Sequence, residues 1–259
     1  MKKKNIIICL IILIFSLSIT IYIVKAKLST SNFKLVDRQT EITEAKKKDN
    51  SVVGWLMVEG TNIDLPIVQD LDTINVPDRD FNHAWILSEP DSESNHVTFI
   101  SHNVRNVSRK PIVNDDSMTG FEQLMSFIYP DFISKNQYIS YTNRRGEQEM
   151  YKIYAVSLTK IDQSASFHNI YSDEEQEEYI NESKKVSMYD MNVDVTKKDK
   201  LLSLMTCTRF YGKANYHNFR VDARKLREDE KQELVKVRTN NNYKKIEKRM
   251  KEGVSNEEA

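Results

Sequence analysis

Between Lys200 and Arg209 the chain reads Leu201-Leu202-Ser203-Leu204-Met205-Thr206-Cys207-Thr208, a charge-free run that is apolar through Met205 but for Ser203. A short apolar run of this kind is a buried strand, and this one delivers a single cysteine at its far end. By residue type alone, an unpaired cysteine is a packed small hydrophobe. Its surroundings must therefore decide whether Cys207 packs or reacts. Twelve Tyr and ten Phe against six Gly, arranged in many short β-branched and aromatic runs, favour a strand-rich fold over a helical bundle. The 259 residues allow one domain of about 150 to 200 residues with appendages. A formal net charge of zero argues against nucleic acid as a partner and against steering of one charge sign.

The N-terminus constrains location. Lys2, Lys3 and Lys4 precede Ile6 to Val24, nineteen residues without a charge. At helical rise these span about 28 Å, close to the hydrocarbon thickness of a bilayer. The run is longer than the apolar part of a cleaved signal peptide and has no small-x-small site at its end, which predicts an uncleaved anchor over 6–24. Residues 1–5 form a cytoplasmic tail under the positive-inside rule, and the rest of the chain lies outside the cell. Cys9 falls in the anchor, so Cys207 is the only exported thiol. In an oxidising compartment an unpaired thiol is a liability unless it is buried or needed as a thiolate.

Residues 25–50 read as a linker and a short N-terminal helix. Val52 to Glu59 and Ile63 to Gln69 flank Gly60-Thr61-Asn62, a hairpin signal, with Trp55 as a core anchor and Pro66 marking an edge or bulge. Asp70 to Asp80 is a solvated loop whose spacing matches no calcium site. Phe81 to Leu87 and His96 to Ile100 are further strands, and Asn114 to Phe127 a short helix. Tyr138 to Thr142 and Glu149 to Leu158 form a second hairpin, which makes the core to this point antiparallel. Ser172 with Glu175 is a capping box that opens a helix running to about Met188. Asp199 to Thr206 should pair with Phe219 to Leu226, across a polar loop over Tyr211 to Asn218. Residues 227–259 are densely charged, as in a solvated helix or frayed tail, although Tyr243, Ile246 and Met250 share a face.

The histidines exported with Cys207 are His83, His96, His102, His168 and His217. Their spacing completes no four-ligand set, so neither a metal nor another cofactor is expected. Thiol chemistry instead needs one His brought beside Cys207 from a separate strand, plus a donor for the oxyanion formed when a carbonyl is attacked. His102 and Cys207 both follow apolar runs directly, and so both sit at strand exits.

Ser203-Leu204-Met205-Thr206-Cys207 resembles the Thr-Leu-x-Thr-Cys signature of sortases, the membrane-anchored cysteine transpeptidases of Gram-positive bacteria. Trp55-Leu56 through Thr61-Asn62-Ile63-Asp64-Leu65-Pro66-Ile67-Val68-Gln69 is similar to the first hairpin of class B members. Phe99-Ile100-Ser101-His102-Asn103 resembles their Gly-His-Asn, with Ser101 in place of Gly. The helix from Ser172 falls where class B sortases insert one. The resemblance covers Val52 to Leu226 and implies a mainly β fold with peripheral helices: a sortase-like eight-stranded β-barrel over 51–226, an N-terminal helix and a helix inserted before the Cys strand. It also implies catalysis by Cys207, His102 and an arginine on the strand after the Cys. Counting back from Lys225-Leu226 lands on Asn218 or Phe219, and Arg220 is the nearest arginine, ahead of Arg209 and Arg224, if a one-residue slip is allowed. Thr206, Thr208 and Asn103 would neighbour the substrate.

The implied reaction cleaves a C-terminal sorting signal, NPQTN-like in class B, after its Thr and passes the acyl group to an amine. That amine belongs to a cell-wall precursor or a pilin lysine. Two other readings stand beside it. A non-catalytic surface protein could have kept the barrel, and a papain-like thiol hydrolase uses the same residue types but places its Cys before its His in the chain.

Overall fold

The computed structural model describes residues 11–22, 30–69, 71–72, 82–88, 95–107, 110–113, 115–160, 170–211, 217–245 and 247–248. Helix α1 covers residues 11–22. Among the described residues no helix is long and apolar enough to cross a membrane. Both ends of the anchor expected over 6–24, the tail over 1–5 and the last residues of the chain, 249–259, lie outside them.

Eight strands close into a barrel in the order β1-β2-β3-β4-β8-β9-β6-β5. They are β1 (Val52–Val58), β2 (Asp64–Val68), β3 (Ala84–Ser88), β4 (His96–Ile100), β5 (Tyr138–Thr142), β6 (Gln148–Lys160), β8 (Leu201–Thr208) and β9 (His217–Lys225). The core is Leu56, Val58, Leu65, Ile67, Phe99, Ile139, Ile153, Leu204, Phe219 and Val221 with their neighbours, all almost fully buried. Each such side chain contributes roughly 1.5–3 kcal/mol by leaving water. The first hairpin turns at Gly60, whose φ of 74° lies in the left-handed region that glycine enters without strain.

One pairing departs from the antiparallel expectation, and a second, for which the sequence set no direction, is parallel as well. β2 runs parallel to β3, and β4 parallel to β8, with His96 opposite Leu201 and Ile100 opposite Met205. The second pairing joins segments about a hundred residues apart, which no local pattern specifies. The helix expected over Asn114 to Phe127 also differs: the structure forms a 3-10 helix over Glu122–Ile128 with every residue buried. Glu122 and Gln123 are held by hydrogen bonds to the surrounding loops, from Thr119 N–H to the one and from Asn62 N–H to the other. A helix with no exposed face fits between layers and not on a surface. Helix α3 (Pro130–Ile133) follows directly.

Helix α2 (Gln39–Lys48) covers Val52, Val68 and Trp85 with Ile42. The core tryptophan is Trp85, fully buried, and not Trp55, which is part-exposed and donates Nε1–H to Asp64 Oδ1 at 2.5 Å. Helix α4 (Asp173–Val186) begins at the expected capping box, with Glu175 N–H donating to Ser172 Oγ and the Glu175 carboxylate accepting from Ser172 N–H. From Arg227 to Tyr243 the described chain stays on the barrel. Arg227 reaches Asp194 and Asp199, β10 (Arg238–Thr239) pairs with β7 (Tyr189–Asp190), and Tyr243 is buried with its hydroxyl 2.5 Å from that of Tyr211.

Candidate active site

Cys207 and His102 come from the ends of two parallel neighbours. Because β4 and β8 are in register as far as Ile100↔Met205, the residues that follow, Ser101-His102 and Thr206-Cys207, continue level with one another. Hydrogen bonds hold that continuation. Ser101 N–H donates to Met205 O at 3.3 Å, Thr206 Oγ1 to Ser101 O at 2.7 Å, and Asn103 Nδ2 to Cys207 O at 3.2 Å. Parallel neighbours lie about 4.8 Å apart, within reach of an imidazole and a thiol. His102 and Cys207 are half-buried, while Ser101, Asn103, Thr206 and Thr208 around them are buried. Strand alternation explains the contrast at the cysteine: Thr206 and Thr208 face one side of the sheet and Cys207 the other.

The His102 ring packs edge-on against Trp85 with centroids 5.2 Å apart, and His83 meets the same indole at 4.4 Å. Burial lowers the His83 pKa, and the nearby His102 acts in the same direction against the opposing pull of Asp49. Ser101 donates its hydroxyl to His83 O at 2.7 Å, tying the exit of β4 to the entrance of β3. Its backbone is not in the left-handed region, so serine replaces glycine there without strain and adds a bond. Trp85 was not legible as a site residue; its only sequence signal is a large aromatic in the strand before the His strand.

The loop after His102 is fixed by buried amides. Asn103 accepts from Asn106 N–H at 3.1 Å and donates to Asn106 O at 3.1 Å, while Asn106 bonds Ile112 and Glu122 O. Glu122 accepts from Arg105 and from Thr119 N–H. Burial alone would raise the Glu122 pKa, but these donors outweigh it and hold the carboxyl below its usual value. Asn103 thus anchors the Cys207 carbonyl, and its amide is occupied.

On the other side of β8 the register is antiparallel, with Cys207 opposite Asn218, Met205 opposite Arg220 and Ser203 opposite Asp222. Opposed residues share a face, so Arg220 lies on the face of Cys207, one pleat repeat further along. The ladder is regular there, without the slip the count had needed to reach Arg220. The arginine is buried beneath α4. Its Nε donates to Asp222 Oδ2 at 2.9 Å and an Nη to Ser183 Oγ at 3.0 Å, and its guanidinium carbon lies 5.2 Å from the Tyr179 ring centre. Asp222 also accepts from Ser203 Oγ at 2.6 Å and Tyr179 OH at 2.8 Å. Burial opposes the Arg220 charge, but Asp222, followed by Tyr179 and Tyr154, raises its pKa and keeps it protonated.

Thr206 is fully buried and bonded to Ser101, and Thr208 is fully buried with its hydroxyl unpartnered. Neither has the exposed surface that the expected contact with substrate requires. Among the described residues no group of three or more His, Cys, Asp or Glu side chains is placed to hold a metal ion. His168 lies outside the described residues.

A match to the sortase domain spans residues 56–226, well over half of the chain. Sortase B of Staphylococcus aureus (strain NCTC 8325 / PS 47) is 22% identical over 227 residues, covering 80% of this chain and 89% of the relative. Sortase B of Listeria monocytogenes serovar 1/2a is 26% identical over 178 residues, 64% of this chain and 67% of that one. Among solved structures, Clostridium perfringens sortase B is similar with a TM-score of 0.56 at 23% identity, over 71% of this chain and 99% of its own. A Staphylococcus aureus sortase B–substrate complex gives 0.58 at 17% identity, over 82% and 92%. At these identities the structural likeness carries the fold alone. With the domain match over the barrel, the chain belongs to the sortase family, as a class B-like cysteine transpeptidase.

Proposed function

We propose that this transpeptidase cleaves a C-terminal sorting signal after its threonine and passes the acylated protein to an amine, with Cys207 as nucleophile and His102 as general acid and base. The observation that carries this reading is the β4–β8 register, continued by the Ser101, Thr206 and Asn103 hydrogen bonds, which sets His102 and Cys207 level and half-exposed among buried neighbours. The Cys207 thiolate attacks the scissile carbonyl, and His102 protonates the leaving amine. A second amine then attacks the thioester, loses a proton to His102 and releases the thiolate. Arg220 is the fixed cation on the same face; its charge favours the thiolate and the oxyanion from beneath α4.

The acceptor is the cross-bridge of a cell-wall precursor or a pilin lysine, and the signal is NPQTN-like. Water in place of the amine would make the same site a thiol hydrolase. The domain order that supports this work is a cytoplasmic tail over 1–5, an anchor over 6–24, a linker and helix over 25–50, the catalytic barrel over 51–226 and a charged segment over 227–259. It holds the enzyme on the outer face of a Gram-positive cell membrane with its N-terminus inside. Incubating the full chain with an NPQTN peptide and hydroxylamine tests the proposal. A threonine hydroxamate is expected from the wild type and not from Cys207→Ala or His102→Ala; equal product from either variant refutes the assignment.

A further inference from the structure

An oxyanion needs a donor aimed at the reacting carbon, and the groups around Cys207 differ in what they can offer. The Nε and one Nη of Arg220 are engaged by Asp222 and Ser183, and the Asn103 amide is engaged by Asn106 and Cys207 O. Asn218 is different. It is the register partner of Cys207 across the β8–β9 ladder. Directly opposed residues project to the same face with Cβ atoms about 4.5–5.5 Å apart. Asn218 is 5% exposed as a residue, but neither polar atom of its carboxamide is among the buried atoms left without a partner. A carboxamide on the face of the cysteine that is not sealed inside the protein can turn its Nδ2–H towards a group bound there.

We propose that Asn218 is a catalytic residue of the acyl-transfer steps, its Nδ2–H donating to the carbonyl oxygen of the scissile peptide as that oxygen becomes negative. The inference rests on the assignment of Cys207 as nucleophile. Sγ forms a bond to the carbonyl carbon and the π pair moves to oxygen, where Asn218 holds it. When the pair returns, the C–N bond breaks and the nitrogen leaves with the proton from His102. The same donor serves the second tetrahedral intermediate, from which the acceptor amine is acylated and the thiolate expelled. A neutral amide adds a hydrogen bond at this position without placing a further charge beside the buried Arg220 and Asp222.

Two reactions of the full chain separate the roles. Acylation of Cys207 by an NPQTN peptide passes through an oxyanion, whereas alkylation by iodoacetamide does not. Asn218→Ala should lower kcat for the peptide by about 10²–10³-fold, the usual loss for one oxyanion donor. It should leave KM and the alkylation rate within about twofold, with Tm unchanged. Asn218→Asp, equal in size but an acceptor, should fall at least as far. Should Asn218→Ala cleave within about threefold of wild type, or lose alkylation and cleavage in proportion, the inference is overturned. A wild type that iodoacetamide labels but no peptide acylates contradicts the transpeptidase proposal itself, and the inference with it.

Discussion

The pair formed by Arg220 and Asp222 beneath α4 allows a quantitative test of how the inserted helix is held. Their side chains are 6% and 1% exposed and joined at 2.9 Å. Asp222→Asn keeps the shape and the acceptor for Ser203 and Tyr179 but leaves the Arg220 guanidinium without a countercharge. Breaking one side of a buried pair costs about 3–5 kcal/mol. With a urea m-value of about 2 kcal/mol/M, the midpoint should fall by about 1.5–2.5 M. Arg220→Met alone should cost a similar amount, because it strands Asp222. The double variant Arg220→Met/Asp222→Asn removes both charges while Asn still accepts from Tyr179 and Ser203. It should recover to within about 1.5 kcal/mol of wild type, since neutral replacements of buried pairs are often nearly isoenergetic. Urea unfolding of all four proteins by tryptophan fluorescence provides the cycle. If Asp222→Asn costs less than about 1 kcal/mol, or if the two single losses simply add in the double variant, the charges are not coupled as described.

Three further outcomes follow from other parts of the molecule. Ser172→Ala removes one half of the α4 capping box and should lower stability by about 1 kcal/mol, read as a drop in Tm. Glu122 has a folded pKa below its unfolded value, so its contribution is complete above about pH 4.3 and is lost as pH falls through the folded value. The stability gap between wild type and Glu122→Gln, measured by urea unfolding, should therefore be constant near neutrality and close in acid; a gap that widens in acid would reverse the sign. Tyr243→Ala empties a buried site and should cost about 3 kcal/mol, whereas Tyr243→Phe, losing only the bond to Tyr211, should cost about 1 kcal/mol. Thermal unfolding compares the two.

What could be read from the chain was what local chemistry specifies. The capping box at Ser172, the hairpin at Gly60 and the strands that lead to His102 and Cys207 are set by neighbouring residues, and the structure forms each of them. The parallel meeting of β4 with β8 depends on barrel closure and has no local signature. Trp55 and Trp85 lie in equally apolar runs, and only the seating of α2 over Val52, Val68 and Trp85 decides which indole is dry. Arg220 shows the same limit at the site. Counting along the chain finds it near Cys207, but the ladder, which sets Asn218 opposite the cysteine, and α4, which supplies Ser183 and Tyr179, decide what its guanidinium touches. The charged segment after Leu226 reads as a tail because its charges are visible in sequence and their buried partners, such as Asp199 for Arg227, are not.

The central claim is that Cys207, activated beside His102, carries the acyl group. Intact-mass spectrometry of the full chain mixed with an NPQTN-containing peptide tests this directly. A covalent adduct equal to the peptide up to and including its threonine should form on wild type, map to Cys207, disappear with hydroxylamine and be absent from Cys207→Ala. An adduct that persists in Cys207→Ala, or a wild type that cleaves the peptide with no thioester at any time point, would contradict it.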